Sequence, residues 1–525
     1  MTPLTSCTHP NPSQQSLASL ELRRLFLLAP QDCTEFADPL SVPLGGGWRL
    51  THHRDLQVLQ CREGRRTLTL IGHLLDPYQP QADDRLLIET LIRKDVPLDQ
   101  LPAATAHLGG RWALFGDDGD QALVWTDPAA QRPVYYHRHP EHATQDGGPI
   151  RTSLAGEPGL LARHLGLTVD PVAADYAEGR GDSDVEVHWL PGDRTLYTDV
   201  RTLLPNHWLD LRSGRCRRWW PQAPIPRLDW DSVLQRCEVL LRGQLEAIQR
   251  RWPLALPMTA GWDSRLMLAL CRPIASEVHA YTLAYPPQGR RANDVRVPAR
   301  LLASLGLAHQ IVRCPDSVDE GFKALMRRHQ PTPARGCCAD AQALWRLLPQ
   351  DRMSLSGDVA EVVKAHFRRP DLRDETLTAA DLADLIRIGR HPFALEALQD
   401  WLAGARPSPV PLLDLFCWEQ MAGRWQAKLR ADMDLVQDGI APLNHRELLV
   451  TMLAADESRR RAPQVELFEA LILRMWPQAL TEPVNPPERQ STLVVLRALA
   501  GRIGLNRLLP VALRRGMRRL IDRED

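Results

Sequence analysis

The sequence predicts an α/β protein: an N-terminal α+β layered domain, then a parallel sheet wrapped by helices, then a helical C-terminal part. Three observations carry this expectation. From Leu25 to about Asp210, short apolar runs are separated by Gly, Asp and Pro, the pattern of strands in a β-rich layer. From Trp230 onward, helical faces alternate with short apolar runs, which reads as strands joined by crossover helices. Beyond about Thr376 the hydrophobic spacing is nearly all helical.

Residues 1–20, rich in Ser, Pro, Thr and Gln, read as a disordered lead-in. The first domain is expected over 21–220, with strands at 67–75, 112–115 and 122–125 and helices at 84–93 and 160–166. A strand-turn unit at 195–211 leads to a Pro-rich linker at 221–228. The second domain is expected over 229–490. Its first helix spans 230–250, where Val233, Cys237, Leu240, Leu241, Leu245 and Ile248 share one face and Asp229 suits the N-cap. Strands follow at 254–257, 278–285, 309–313 and 352–355, with helices after the first strand, at 294–305 and around 318–328. Residues 491–525 form a basic helical tail, expected to pack on the domain with a solvated face rather than to bind a membrane.

With 525 residues the chain can hold two or three cores, and 44% hydrophobic against 24% charged content is that of a soluble globular protein. Sixty-four basic residues balance 64 acidic ones, which argues against a dedicated nucleic-acid binder. Only Lys94, Lys323, Lys364 and Lys428 are lysines, so few amines are available for chemistry. The 10 cysteines include no C-x-x-C pair, so neither a disulfide framework nor a zinc site is expected. No secretory-signal pattern opens the sequence, and no apolar run reaches the roughly 18 residues of a membrane span. A cytoplasmic location is expected.

The most informative stretch is LALPMTAGWDSRLMLAL, where a strand-like run breaks into Thr259, Ala260, Gly261, Trp262, Asp263 and Ser264 and resumes as a helix. Such a turn aims backbone N–H groups and the positive end of the helix dipole at one spot, which suits an anion. Asp263 adds the opposite charge, as needed if a metal ion is held against phosphates. The spacing is neither Walker-type nor G-x-G-x-x-G, and an ordinary polar turn reads the same way in isolation. Two further strand ends carry polar clusters. Asn293 and Asp294 open a helix after the second strand, with Asp294 either an N-cap or a ligand-facing group. Ser356, Gly357, Asp358 and Glu361 follow the fourth strand, with two carboxylates three residues apart.

In this order, T-A-G-W-D-S, Y-T-L-A-Y, an Asp opening a helix that ends L-G-L-A-H, and L-S-G-D-V-A-E resemble the synthetase domain of the asparagine synthetase superfamily. That superfamily includes β-lactam synthetases and lasso-peptide cyclases. Its loop reads S-G-G-x-D-S and its later motif S-G-[DE]-G-[AGS]-[DE]-E. The first half is similar to the family's glutaminase-type domain: His107 to Leu114 (HLGGRWAL), then Thr126, Asp127 and Pro128 with Arg132, Pro133, Val134, Tyr135 and Tyr136. The 195–211 unit ending in R-R-W-W resembles the family's bridge, and Ala441, Pro442, Leu443, Asn444 and His445 look like its late P-F-L-D-H segment. The resemblance covers about 60–490.

This resemblance implies an Ntn-hydrolase-type first domain, an ATP-pyrophosphatase-type second domain, and an ATP-dependent ligase that adenylates a carboxylate, releases pyrophosphate and forms an amide. It assigns Thr259, Ala260, Gly261, Trp262, Ser264, Arg265 and Gly357 to ATP and pyrophosphate, and Asp263, Asp358 and Glu361 to Mg²⁺. The implied partners are a peptide or small-molecule carboxylate, an amine, and a partner protein from the same biosynthetic cluster. Glutamine-hydrolysing members carry Cys directly after the initiator Met, where this sequence has Thr2, so the first domain is expected to be inactive and the amine to belong to the substrate. The family's late lysine has no match in 480–490, which leaves Arg489 or Lys364 to act beside Asp263. Asparagine synthesis from free ammonia and nucleotide binding without turnover are the alternatives.

Overall fold

The computed structural model describes residues 17–30, 33–138, 152–179, 189–286, 289, 292–332 and 336–487. The expected layered domain is built on two six-stranded antiparallel sheets. In the first the spatial order is Val200–Thr202, Tyr135–Arg138, Thr152–Ala155, Phe26–Ala29, Arg49–His52, Leu40–Pro43. In the second it is Cys216–Arg218, His207–Asp210, Ala122–Thr126, Gly109–Asp117, Arg66–Leu75, Val58–Glu63. Strand alternation decides the layering. Phe26 and Leu28 join Ile71, Ala113 and Phe115 in the core between the sheets. Leu27 and Ala29 point the other way, onto Leu160 and Leu161 of the helix Pro158–Leu165. Leu68, Leu70 and Leu74 likewise pack outward on Leu87, Ile88 and Leu91 of the helix Asp84–Ile92. The result is four layers: helix, sheet, sheet, helix.

The second sheet system is parallel throughout. Its strands are β1 (Leu254–Pro257), β2 (His279–Ala284), β3 (Gln310–Arg313), β4 (Met353–Leu355) and β5 (Gly439–Ile440), in the order β3-β2-β1-β4-β5. Helix α1 (Trp230–Gln249) precedes β1, with Asp229 accepting from Ser232 N at 2.9 Å as its cap. Helix α2 (Trp262–Leu270) joins β1 to β2, α3 (Asn293–Ser304) joins β2 to β3, and α4 (Glu320–His329) and α5 (Cys337–Leu347) lie between β3 and β4. Leu254 and Leu256 face the cluster containing Leu266 and Leu270, while Ala255, Tyr281 and Val312 face Phe322, Met326 and Leu344. Helices therefore cover both faces, as a parallel sheet requires. After β1 the chain moves to β2 on one side, while β4 pairs with β1 on the other. The carboxyl ends of β1 and β4 thus flank a topological switch point, where open α/β sheets form a ligand crevice.

Several expectations are corrected. Residues 17–20 are not a loose lead-in: Leu17–Leu20 is a 3₁₀ turn, and Leu20 is buried in the same cluster as Phe322 and Met326. Residues 1–16 and the tail at 491–525 lie outside the described residues. Helix α5 and strand β5 are additional to the expected elements, and β5 has only two residues, too few to show a period. The 219–229 stretch contains no helix or strand, and a π-helical segment, Cys417–Gln426, runs through the helical part. No described helix is long and apolar enough to cross a membrane.

Candidate nucleotide-binding site

The loop after β1 is held in shape by its own side chains. Ser264 Oγ donates within the loop, with Thr259 O at 3.0 Å and Gly261 O at 3.2 Å as acceptors in reach, and it accepts from Thr259 N at 3.2 Å. Thr259 Oγ1 accepts from Gly261 N at 3.2 Å. Ala260 N donates to Asp294 Oδ1 at 3.0 Å, so Asp294 is neither the cap of α3, whose N-cap position is Ala292, nor a free ligand: it rivets the loop to the next helix. Asn485 N donates to Ala260 O at 3.0 Å from the far end of the chain. Among the described residues no side chain caps α2, and its first-turn N–H groups lie at the switch point, where an anion fits the helix dipole.

Asp263 lies in that first turn, its side chain 34% exposed, and it meets the motif after β4 directly. Lys364 Nζ donates to Asp263 Oδ2 and to Glu361 Oε1, each at 2.7 Å. Burial pushes the Asp263 carboxyl up to about 6; Lys364 opposes that rise, and Glu361 and Asp358 add to it. Burial works against the Lys364 ammonium, but Asp263 and Glu361 more than compensate and raise its pKa above the ordinary lysine value. The 2.7 Å contacts make the three groups an ion-paired cluster, with the ammonium between the two carboxylates. Gly357 permits this meeting: a Cβ there would lie 2.7 Å from Asp263 Cβ. Its role is close approach of two backbones rather than a demonstrated phosphate contact.

The remaining assignments divide. Asp358 does not converge on Asp263; its Oδ2 accepts from Ser356 Oγ at 2.8 Å and from Arg430 Nε and Nη2 at 3.1 and 2.6 Å. Arg265 is fully buried and turned away from the loop, donating to the carbonyls of Ala479, Glu482 and Pro483 at 2.8, 2.8 and 3.0 Å. Trp262 Nε1 donates to Pro463 O at 2.8 Å, so the indole anchors the helix start to a distant turn. Arg489 lies outside the described residues. Gln426, Arg430 and Asn485 carry no signal in the sequence, whereas Asp294 is marked by its place at the second strand end but serves the loop rather than a cap or a ligand.

The expected Mg²⁺ set fails a test of fit. Asp358 is engaged by Arg430, the ammonium of Lys364 fills the point where Asp263 and Glu361 converge, and no group of three His, Cys, Asp or Glu side chains among the described residues is placed to hold a metal ion. Upstream, Val359 adopts φ 73°, a left-handed conformation that is strained for a β-branched residue, where the family pattern has Gly. Its N–H is fixed by Gln426 Oε1 at 2.8 Å.

Arg111, Asp127, Arg132 and His445 gather elsewhere. Arg111 Nη1 and Nη2 reach Asp434 Oδ1 and Oδ2 at 2.5 and 2.7 Å, and Nη1 reaches Asp438 Oδ1 at 3.0 Å. Arg132 donates to Asp434 Oδ2 at 3.1 Å. Asp127 accepts from the backbone N–H groups of Trp112, Gln131 and Arg132 and from Asn444 Nδ2 at 2.8 Å. His445 Nδ1 accepts from Leu448 N, so its Nε2 donates to His107 O at 2.9 Å. Asp438 directly precedes β5, so this cluster joins the sandwich to the parallel sheet. A separate cavity of about 590 Å³ shares no lining residue with the β1 loop; two of its arginines, Arg201 and Arg194, are paired with Asp193 and Asp400.

No protein-family model matches the sequence, and no curated protein matches it. Solved structures similar to the chain include a glutamine-dependent NAD⁺ synthetase from Acinetobacter baumannii in complex with ADP, at 16% identity over 37% of this chain and 42% of that one, TM-score 0.19. The allosteric regulatory enzyme of purine biosynthesis is matched at 13% identity over 58% and 62%, TM-score 0.24. A glutamine phosphoribosylpyrophosphate amidotransferase from B. subtilis, complexed with ADP and GMP, is matched at 11% identity over 73% and 88%, TM-score 0.24. The chain thus spans less than half the length of the synthetase and under two thirds of the purine enzyme.

Proposed function

We propose that this chain is an ATP-dependent amide-forming ligase of the asparagine synthetase type, acting on a peptide or small-molecule carboxylate and an amine that the substrate brings itself. The observation that carries the reading is the meeting of two strand-end motifs at the switch point, with Asp263 and Glu361 on one lysine at 2.7 Å. In the first step a carboxylate oxygen attacks the α-phosphorus of ATP, the bond to the bridging oxygen breaks, and pyrophosphate leaves. The first-turn N–H groups of α2 are suited to bind that departing charge, because oriented dipoles stabilise it without reorganising. Thr259 and Ser264 act by holding the loop in the binding shape. In the second step the amine attacks the acyl carbon, forming the C–N bond, expelling AMP and releasing a proton. The first domain acts as support: Arg111 and Arg132 are engaged by Asp434, and Asp127 by Asn444, in its junction with the second domain.

ATP–pyrophosphate exchange with a panel of carboxylates tests this reading. Exchange with a specific carboxylate, abolished by Asp263→Ala, is expected; ammonium-dependent conversion of Asp to Asn would point instead to asparagine synthesis. A second reading, nucleotide binding without turnover, is favoured by Lys364 at the metal position and by Val359 in place of Gly. ATP binding without exchange for any acceptor would select it.

A further inference from the structure

We infer that Lys364 is a resident cation that takes the position of a divalent ion between Asp263 and Glu361, so that this pair excludes metal and the ammonium itself faces the nucleotide phosphates. The phosphate part of this inference rests on the nucleotide reading above; the exclusion of metal does not. Two of the three ammonium N–H groups are used by the carboxylates at 2.7 Å, which leaves one for a phosphate oxygen. The side chain is only 10% exposed, and Nζ lies 6.0 Å from the Phe468 ring centroid, so packing holds it in place. Glu361 and Lys364 lie three residues apart across one 3₁₀ turn, Ala360–Val363, which brings them to the same side. That turn is over-determined at its start, because Val359 is kept at φ 73° by its bond to Gln426. The third carboxylate, Asp358, is withdrawn to Arg430, which removes the ligand a divalent ion would gain by displacing the lysine. Residue type matters as well. Only four of the 64 basic residues are lysines, and an ammonium is the compact point charge that can sit where a metal ion sits, which a planar guanidinium cannot.

The test uses the full chain and Mn²⁺ alone, with free ion followed by electron paramagnetic resonance. Wild type is expected to show no Mn²⁺ site that Asp263→Asn removes. Lys364→Met is expected to gain such a site, at least about tenfold tighter than any in wild type, the equivalent of ~1.4 kcal/mol; adding Asp263→Asn to it abolishes the gain. A wild-type Mn²⁺ site lost in Asp263→Asn overturns the inference, and so does a folded Lys364→Met that gains nothing. The wild-type arm decides even where Lys364→Met does not fold. Calorimetric titration with ATP, in chelator and in Mg²⁺, is the second arm. Wild-type affinity is expected to differ by less than about threefold between the two, well under 1 kcal/mol. An affinity that collapses in chelator overturns the inference. No ATP binding in either buffer removes the nucleotide reading, while the Mn²⁺ arm still decides the role of Lys364.

Discussion

Two clusters of charge, both built from residues far apart in sequence, differ in how completely they are satisfied. At the junction of the sandwich with the parallel sheet, Arg111 and Asp434 have side chains 3% and 2% exposed, are joined by two hydrogen bonds, and are supported by Arg132 and Asp438. At the switch point, Asp263 and Glu361 are 34% and 21% exposed, and the ammonium between them keeps one N–H unused by either carboxylate. The first cluster is the more buried and the more densely paired; the second is preformed but open. A closed network of buried charges stabilises an interface only while every member has its partner. An open one, beside an uncapped helix start, has capacity left for a ligand. The Arg111–Asp434 cluster thus ties the two sheet systems together, and the cluster after β1 keeps a group open to solvent.

The largest expected effect breaks the closed cluster. Asp434→Ala leaves Arg111 and Arg132 short of a carboxylate and is expected to destabilise the protein by about 3–5 kcal/mol in denaturant unfolding. A loss below about 1 kcal/mol would place this cluster with ordinary surface pairs instead. Next comes the open cluster. Asp263→Asn is expected to lower ATP–pyrophosphate exchange by roughly 10²–10³, or ~2.7–4 kcal/mol, with the unfolding midpoint nearly unchanged. If both substitutions hit stability equally, the contrast between the clusters fails.

A carboxylate outside both clusters, with no salt-bridge partner among the described residues, sharpens the comparison. Glu157 is fully buried and caps the helix Pro158–Leu165 through Gly159 N and Leu160 N. Burial pushes its carboxyl up to about 7, whereas at Asp438 the opposing effect of burial is overcome by Arg132, Arg24 and Arg111, which hold it far below the usual range. The signs are opposite. Because folded Glu157 keeps its proton longer than the unfolded chain does, its contribution falls as pH rises from about 4.5 to about 7 and is flat above. Asp438 contributes stability above the unfolded carboxylate value and loses it only in strong acid. Glu157→Gln keeps an acceptor for the cap and is expected to remove a slope of the order of 1 kcal/mol per pH unit, read from unfolding curves across that window. The smallest effect is at the loop: Thr259→Val deletes the acceptor for Gly261 N and is expected to cost about 1 kcal/mol, seen as a fall of roughly fivefold in exchange.

What was legible in advance follows the range of the forces involved. The β1 turn into α2, the cap at Asp229 and the alternation of strands and helices depend on neighbours a few residues away, and these local preferences appear in the sequence as period and cap chemistry. The order of the motifs was enough to bring Asp263 and the Glu361 segment to one crevice, because strand ends of a parallel sheet share one edge. Which partner each charge takes was not legible. Arg265 follows the loop directly in sequence yet turns to the carbonyls of 479–483, and Asp358 prefers Arg430, 72 residues away, to the crevice.

By itself, then, the sequence determined the α/β class, the strand-turn-helix loop at 259–264 and the order of the strand-end motifs. The tertiary structure alone decided that Arg111, Arg132 and Asp434 close a junction, that Lys364 stands between Asp263 and Glu361, and that Arg265 and Asp358 leave the site. The physical reason is that burying a charge is costly unless it is paired, and the pairing is chosen among all groups that packing brings within reach, whatever their separation along the chain.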